Sequence, residues 1–232
     1  MASVLALVSL AGTANAASYT TNSFTPTAND LLYGWFAPAA QMNTDWTVTD
    51  SLGGSWTKVA RAVRATSANF MELWVRDSLA PASSMTVTFS HASGNATGMI
   101  MVVYGVAGMT RLGSAAVRQF KVADNQAAGT PAVTFAAAAL TGNPTIGAVD
   151  NATDPATLTP PTGWTEPATH GDRGHANPTH GQESCYRDSG FTGTTITWGS
   201  ESASAFGAII AELDTSASVT MRPSIGAMTH YF

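Results

Sequence analysis

One arrangement of residues occurs twice in this chain, and this repeat limits the possible folds more than any other feature. The first copy is the pattern ExxxRDS beginning at Glu72, followed after a short turn-rich gap by Thr86–Phe89, Thr-Val-Thr-Phe. The second is the same pattern beginning at Glu183, followed by Thr195–Trp198, Thr-Ile-Thr-Trp. Matches elsewhere keep offsets of 108 to 112 residues over most of the first half. The chain is therefore predicted to contain two equivalent halves, about 1–108 and 109–217.

Within each half the hydrophobic pattern is that of β-strands. Met71–Arg76 alternates between apolar and polar positions, as strands with one buried face do. Leu31–Phe36 and Met99–Tyr104 are nearly continuous apolar runs, which are typical of central strands. No segment predicts an amphipathic helix of ten or more residues, so we expect an all-β protein.

Each half supplies about four strands, and neither half could hide its apolar face alone. Two such halves facing one another predict a jelly-roll-like antiparallel β-sandwich of about eight strands. Thr110–Lys121 has no linker composition, which favours a single domain, 1–217, over two tandem modules. Residues 218–232 form a C-terminal arm without a counterpart in the first half. We expect this arm either to dock onto a neighbouring subunit or to pack back on its own sandwich.

The first 17 residues have an apolar run and an Ala-Asn-Ala end, but they lack the positively charged region that begins a secretory leader. Because the segment from Val8 matches the one from Lys121, we predict that residues 1–17 form a first strand and loop. No run of 18 apolar residues predicts a membrane span. Cys185 is the only cysteine, and its strand-like surroundings predict a buried, inert thiol.

The composition points to association with other subunits. Charged residues make up 11% of the chain, against roughly 25% in an ordinary soluble domain. A surface so poor in Lys and Glu is weakly protected against association. The alternative is the small-residue surface of a secreted protein. Basic residues are scattered and the net charge is −5, so we expect no nucleic-acid partner.

The most distinctive polar stretch is Thr169–Glu183, in which His170, His175 and His180 recur every five residues. Three imidazoles could bind Zn²⁺ or Ni²⁺ if the loop brought them together. This spacing matches no standard metal site, so metal binding is the weaker interpretation. An exposed connection, or a loop that makes surface contacts, is favoured instead.

No catalytic motif is present, and we expect no enzyme activity and no cofactor. The sequence has no nucleophile elbow, no phosphate-binding loop and no His-Glu-x-x-His. Glu72 and Glu183 could be proposed as a glycosidase pair. Their equivalence within the repeat indicates instead that both have the same structural role.

Aromatic residues offer a second class of candidate contacts. Six tryptophans could form a sugar-stacking surface, but Trp56 and Trp164 are equivalent in the repeat and are predicted to lie in the core. Trp46 and Trp74 have no such constraint, so they are candidates for contact with a host glycan. In the C-terminal arm, the candidates for contact with a partner are Tyr231 and Phe232.

The succession SYTTNSFTPTANDLL, WTVTDSLGGSWTKVA, MELWVRDS, SSMTVTFS and TTITWGSESASAFGAIIAEL resembles β-sandwich structural proteins of tailed bacteriophages. Such proteins serve as capsid decoration, head-surface or tail components. The resemblance covers nearly the whole chain, but it lies in strand-and-turn phrases and carries no catalytic residue.

The resemblance implies a minor capsid protein located in the virion, on the outer capsid surface rather than the tail. We expect a decoration or cement subunit that binds the major capsid protein or other virion subunits and forms homo-oligomers. No nucleic acid or membrane is expected as a partner. The alternative is a tail, baseplate or receptor-binding module that recognises host glycans.

Overall fold

The computed structural model describes residues 2–39, 46–64, 66–92 and 94–216, without the side chains of residues 66–68. Within these residues the only helix is a 3₁₀ helix, Gly113–Ala116. The strands are β1 Ser3–Gly12, β2 Ser18–Thr20, β3 Leu31–Ala39, β4 Trp46–Asp50, β5 Trp56–Arg64, β6 Thr66–Arg76, β7 Val87–His91, β8 Gly98–Ala107, β9 Val117–Gln126, β10 Ala132–Thr134, β11 Thr145–Asn151, β12 Asp172–Ala176, β13 Thr179–Arg187, β14 Thr195–Thr197 and β15 Phe206–Leu213. The all-β prediction is confirmed, and the predicted first strand is present as β1.

The strands form four antiparallel sheets, two in each half of the chain. The N-terminal half contains a main sheet in the order β1-β8-β3-β6-β5 and an outer sheet in the order β2-β7-β4. The C-terminal half contains a main sheet in the order β9-β15-β11-β13-β12 and an outer sheet of β10 and β14. Read from the first strand of each half, the two main sheets have the same order. The repeat in the sequence is therefore a repeat of topology.

Three apolar cores lie between the four sheets. The central core joins the two main sheets, with Trp35 and Val102 from one half and Ile146 and Ile209 from the other. Each half also encloses its own core between its main and outer sheets. The main sheets are therefore middle layers, and their strands β3, β8, β11 and β15 are buried on both faces. This double burial explains the continuous apolar runs of β3 and β8.

The antiparallel sandwich is confirmed, but the predicted strand count is not. The described residues form fifteen strands rather than about eight, and the jelly-roll arrangement is not confirmed. Three strands of the outer sheets, β2, β10 and β14, contain only three residues each. A segment of that length is too short to show a two-residue period, so the outer sheets left little trace in the hydrophobic pattern.

The two halves face each other with approximate twofold symmetry. Strand β5 lies against β9, and β1 lies against β12. Because β1 and β9 hold equivalent places in their sheets, as do β5 and β12, both contacts join the same kinds of strand. This is the isologous arrangement of a symmetric dimer, formed here within one chain.

Strands β1 and β9 also share one irregularity. Each contains an extra residue, Leu7 in β1 and Arg118 in β9, where the register with its neighbour shifts. Counting from these bulges, Ser9 lies opposite Val102 and Phe120 lies opposite Ala211. Ser9 and Phe120 therefore occupy equivalent positions in the two halves, which differs by two residues from the register in which Val8 matches Lys121 in the sequence.

Candidate functional site

The two glutamates of the repeated pattern are buried in separate cores. Glu72 accepts a hydrogen bond from Trp74 Nε1 at 2.8 Å and pairs with Lys58 Nζ at 3.1 Å. Glu183 accepts from the indole of Trp198 in the core of the C-terminal half. The central core lies between them, so the two carboxylates do not face one cleft. Both hold a tryptophan in place, as the structural interpretation of the repeat predicts.

Arg76, on β6 of the main sheet, finds its partner at the end of β4 in the outer sheet, not along its own strand. Its Nε donates to Asp50 Oδ2 at 2.8 Å, and the indole of Trp56 donates to the same oxygen at 3.0 Å. Burial alone would raise the pKa of Asp50, but the hydrogen bonds from Arg76, from the Gly54 amide and from Trp56 lower it. Asp50 is therefore held as a carboxylate. Among the described residues, the equivalent Arg187 donates to a carbonyl, that of Ser189, at 3.0 Å, and to no carboxylate.

The aspartates of the two patterns connect the halves. Asp188 Oδ1 accepts a hydrogen bond from the backbone amide of Val4, at the start of β1, at 2.7 Å. Asp77 accepts from Thr57 Oγ1 at 2.6 Å, and a Cβ at Gly113, just before β9, would collide with it. Each aspartate thus lies beside the first strand of the opposite half. The aspartate of the Arg-Asp-Ser pattern is explained by this contact between halves.

The structure overturns the prediction that Trp46 and Trp74 make surface contacts. Both are buried, Trp46 stacks on Phe89 with ring centroids 4.7 Å apart, and Trp74 packs edge-on against the same ring. Trp46 lies on β4 of the N-terminal outer sheet and Trp74 on β6 of the main sheet, and both side chains point into the core between these two sheets. All six tryptophans of the chain are buried, so none offers a sugar-stacking surface.

The histidine-rich segment is a hairpin packed against the N-terminal half, not an exposed connection. His175 and His180 are buried cross-strand partners with ring centroids 5.2 Å apart. His170 is half-buried, with Nδ1 2.8 Å from Ser9 Oγ on β1. Among the described residues, no three His, Cys, Asp or Glu side chains are placed to hold a metal ion. The prediction that His175 and His180 make surface contacts is also wrong, because both side chains are buried between the two halves.

A polar cluster that the sequence did not reveal joins the two halves. Arg64 Nε lies 3.8 Å from Asp150 Oδ2, and His180 Nε2 hydrogen-bonds to Asp150 Oδ1. His175 packs against His180 and against Gly98, where a Cβ would collide with the imidazole. Burial lowers the pKa of His175, as do His180 and Arg64 nearby, while Asp154 opposes them. The only signal in the sequence was the histidine spacing, which does not identify Arg64 or Asp150.

A second polar cluster lies within the C-terminal half. Asp172 is directly opposite Glu183 in the β12–β13 pair, and Glu166 lies beside Asp172. Burial raises the pKa of Glu183 well above its usual value. Burial and the nearby Glu166 raise the pKa of Asp172 to about 7. The thiol of Cys185 is buried beside Glu183, and burial raises its pKa well above the usual value, as expected of an inert cysteine.

A few large apolar side chains remain accessible, and they lie on strand edges, in turns or in loops. Within the described part of the chain, the exposed large apolar side chains are Leu5, Leu52, Phe120 and Leu140. Phe120 is 45% exposed and borders an open groove of about 340 Å³ between β5 and β9. The groove is lined by Lys58, Val59, Ser114, Val117, Arg118, Gln119 and Phe120.

Strand β1 is unusual among the edges of the main sheets. Its ten residues, Ser3–Gly12, include no charged residue and no proline, and Leu5 is 58% exposed. The three other edge strands each carry two or three charged residues: β5 has Lys58, Arg61 and Arg64, β9 has Arg118, Lys121 and Asp124, and β12 has Asp172 and Arg173. Charges on an edge strand oppose pairing with another chain. Strand β1 lacks that protection.

The remaining predicted contacts, Tyr231 and Phe232, lie outside the described residues. None of the helices in the described ranges is long and apolar enough to cross a membrane. The fold and its surface define an all-β protein of two equivalent halves, whose accessible apolar side chains lie on strand edges and turns. No protein-family model, curated protein or solved structure matches this chain.

Proposed function

We propose that this protein is a non-enzymatic structural protein of a tailed-bacteriophage virion, a decoration or cement subunit on the outer capsid surface. The observation that carries the proposal is the uncharged edge strand β1 with its exposed Leu5. An uncharged sheet edge with an exposed apolar side chain is a liability for a protein that stays alone in solution. It is useful to a subunit whose edge is covered in an assembly.

The architecture suits a subunit that bears mechanical load. Four stacked sheets with three apolar cores form a rigid body. Asp188 binds the amide of Val4, so the start of β1 is tied to the C-terminal half and held in a defined position. A fixed edge loses little conformational entropy when it binds, which favours affinity.

In this proposal β1 contacts the major capsid protein or another virion subunit, and further copies of this chain occupy equivalent positions. A capsid offers many such positions related by symmetry. If copies are linked through homo-oligomer contacts, modest individual contacts add up to a high avidity. The protein would stabilise the shell by joining neighbouring subunits against internal pressure.

The test is a binding experiment with heads that lack this protein. Leu5→Glu places a charge on the β1 edge and is expected to weaken head binding at least tenfold. The matched control is Leu52→Glu, because Leu52 is 43% exposed in the β4–β5 turn, away from β1. Equal binding by the two variants would refute the role of the β1 edge. A count of a handful of copies per virion, instead of hundreds, would contradict the decoration role itself.

The alternative is a tail, baseplate or receptor-binding module that recognises glycans. That interpretation depended on Trp46, Trp74 or the histidine loop. Trp46, Trp74, His175 and His180 are all buried, and His170 contacts Ser9 of the opposite half. Glycan-array binding by the purified protein, together with a low copy number, would favour it over the decoration role.

A further inference from the structure

The approximate twofold symmetry of the chain has one clear exception. On β1, Ser9 is covered by the imidazole of His170 from the opposite half. The equivalent position on β9 is Phe120, whose side chain is 45% exposed beside the open groove. A larger and more apolar side chain is thus left without the cover that its smaller, polar counterpart has among the described residues.

The chemistry of the groove favours an apolar occupant. Two cations line it, but Lys58 Nζ pairs with the buried Glu72 at 3.1 Å, and Arg118 Nη1 pairs with the buried Glu212 at 2.5 Å. Both charges are therefore already balanced, and an anionic ligand would gain little. Val59, Val117 and Phe120 supply the apolar surface.

The described chain ends beside this groove. Asp214 N donates to Ala116 O at 2.8 Å, and Ser216 O accepts from Thr110 Oγ1 at 3.1 Å. Ala116 closes the 3₁₀ helix whose Ser114 lines the groove. Phe120 is four residues further along, which corresponds to about 13 Å of extended strand.

Sixteen residues follow Ser216 in the sequence and could span roughly 50 Å if extended. They contain no acidic residue, and their larger apolar side chains are Val219, Met221, Ile225, Met228, Tyr231 and Phe232. A segment tethered so close to the groove has an effective concentration in the millimolar range. A segment from a second copy would have no such advantage in dilute solution.

We propose that the groove between β5 and β9 binds residues 217–232 of the same chain, with an apolar side chain of that segment packed against Phe120. In this arrangement the segment covers Phe120, as the imidazole of His170 covers Ser9. This inference does not depend on the proposed function, because it concerns the free protein.

The test uses the full-length chain with a photoreactive benzophenone amino acid at position 120, and with the same amino acid at position 52 as a control. After irradiation at low protein concentration, cross-linked peptides are identified by mass spectrometry. The expected product joins position 120 to a peptide from residues 217–232 at monomer mass, and position 52 gives no such product. Products at dimer mass would overturn the proposal in favour of a second copy. The absence of cross-links to residues 217–232 would overturn it altogether.

A second measurement avoids the artificial amino acid. Phe120→Asp is expected to make thermolysin cleavage within residues 217–232 roughly tenfold faster, whereas Leu52→Asp leaves the rate unchanged. Circular dichroism and the unfolding midpoint confirm that both variants are folded. An unchanged cleavage rate in folded Phe120→Asp would contradict the proposed contact.

Discussion

Replacing Arg76 with methionine tests how the repeated pattern stabilises the fold. The Arg76 side chain is 4% exposed, and its Nε donates to the fully buried Asp50 carboxylate at 2.8 Å. Its Nη1 also donates to the carbonyls of Ser78 and Leu79. The variant leaves the Asp50 carboxylate buried without its cation. Removing one partner of a buried ion pair costs about 3–5 kcal/mol of unfolding free energy.

Asp50 keeps other donors in the variant, and these set the expected value. The amides of Leu52 and Gly54 and the indole of Trp56 each donate to Asp50 at 3.0 Å. The cost should therefore lie near the lower limit, about 3 kcal/mol. For a protein with a typical stability of about 5–15 kcal/mol, this is a large loss.

The repeat provides a matched control, Arg187→Met. Arg187 occupies the same place in the pattern, but its Nε donates to the carbonyl of Ser189 and it forms no ion pair within the described ranges. Losing one such hydrogen bond should cost about 1 kcal/mol. Both variants are compared with the parent by urea unfolding, followed by tryptophan fluorescence. Equal destabilisation by the two substitutions would refute the role of the Asp50 ion pair.

Three further predictions concern the buried polar groups. The pKa of His175 is lowered by burial, by His180 and by Arg64, against the opposing charge of Asp154, so the contribution of His175 to stability should fall as pH drops below about 6.5. His175→Gln should make the dependence of unfolding free energy on pH shallower in this range. An unchanged pH dependence in urea unfolding experiments would contradict the assignment to His175. The pKa of Asp172 is raised to about 7, so its contribution is present near pH 4 and is lost as pH rises through 7. Asp172→Asn should reduce that loss, measured as the melting temperature between pH 4 and 8; an unchanged loss would contradict the assignment to Asp172. Cys185 should react with a thiol reagent only in urea, because its thiol is buried and its pKa is raised; rapid labelling of the native protein would show that the core opens.

The repeat made much of the fold predictable, because its signals are local. Alternation in Met71–Arg76 and continuous apolar runs in Leu31–Phe36 depend only on neighbouring residues and on whether one or both faces are buried. The structure confirms strands at both places. Conservation of the offset along the chain also indicated that the halves share a topology. The match of Glu72 with Glu183 in the repeat was also informative, because the carboxylate of each is buried and accepts a hydrogen bond from a tryptophan indole.

The candidate site was less predictable, because it depends on which layers cover which faces. Trp46 and Trp74 were expected on the surface because neither has an equivalent tryptophan in the repeat, but both are buried in the core between the N-terminal main and outer sheets. His175 and His180 were expected in an exposed loop. They lie in a hairpin that packs on the other half because Gly98 leaves room for the imidazole.

The sequence by itself determined the strand character of the chain, its division into two equivalent halves and the buried state of Cys185. The tertiary structure alone decided that the halves face each other through their main sheets. It also decided that Arg64 meets Asp150, 86 positions away, and that Ser9 is covered while Phe120 is not. The physical reason is that strand patterns reflect contacts within a few residues. Pairing between distant sheets depends instead on the free energy of burying whole faces, which no short segment encodes.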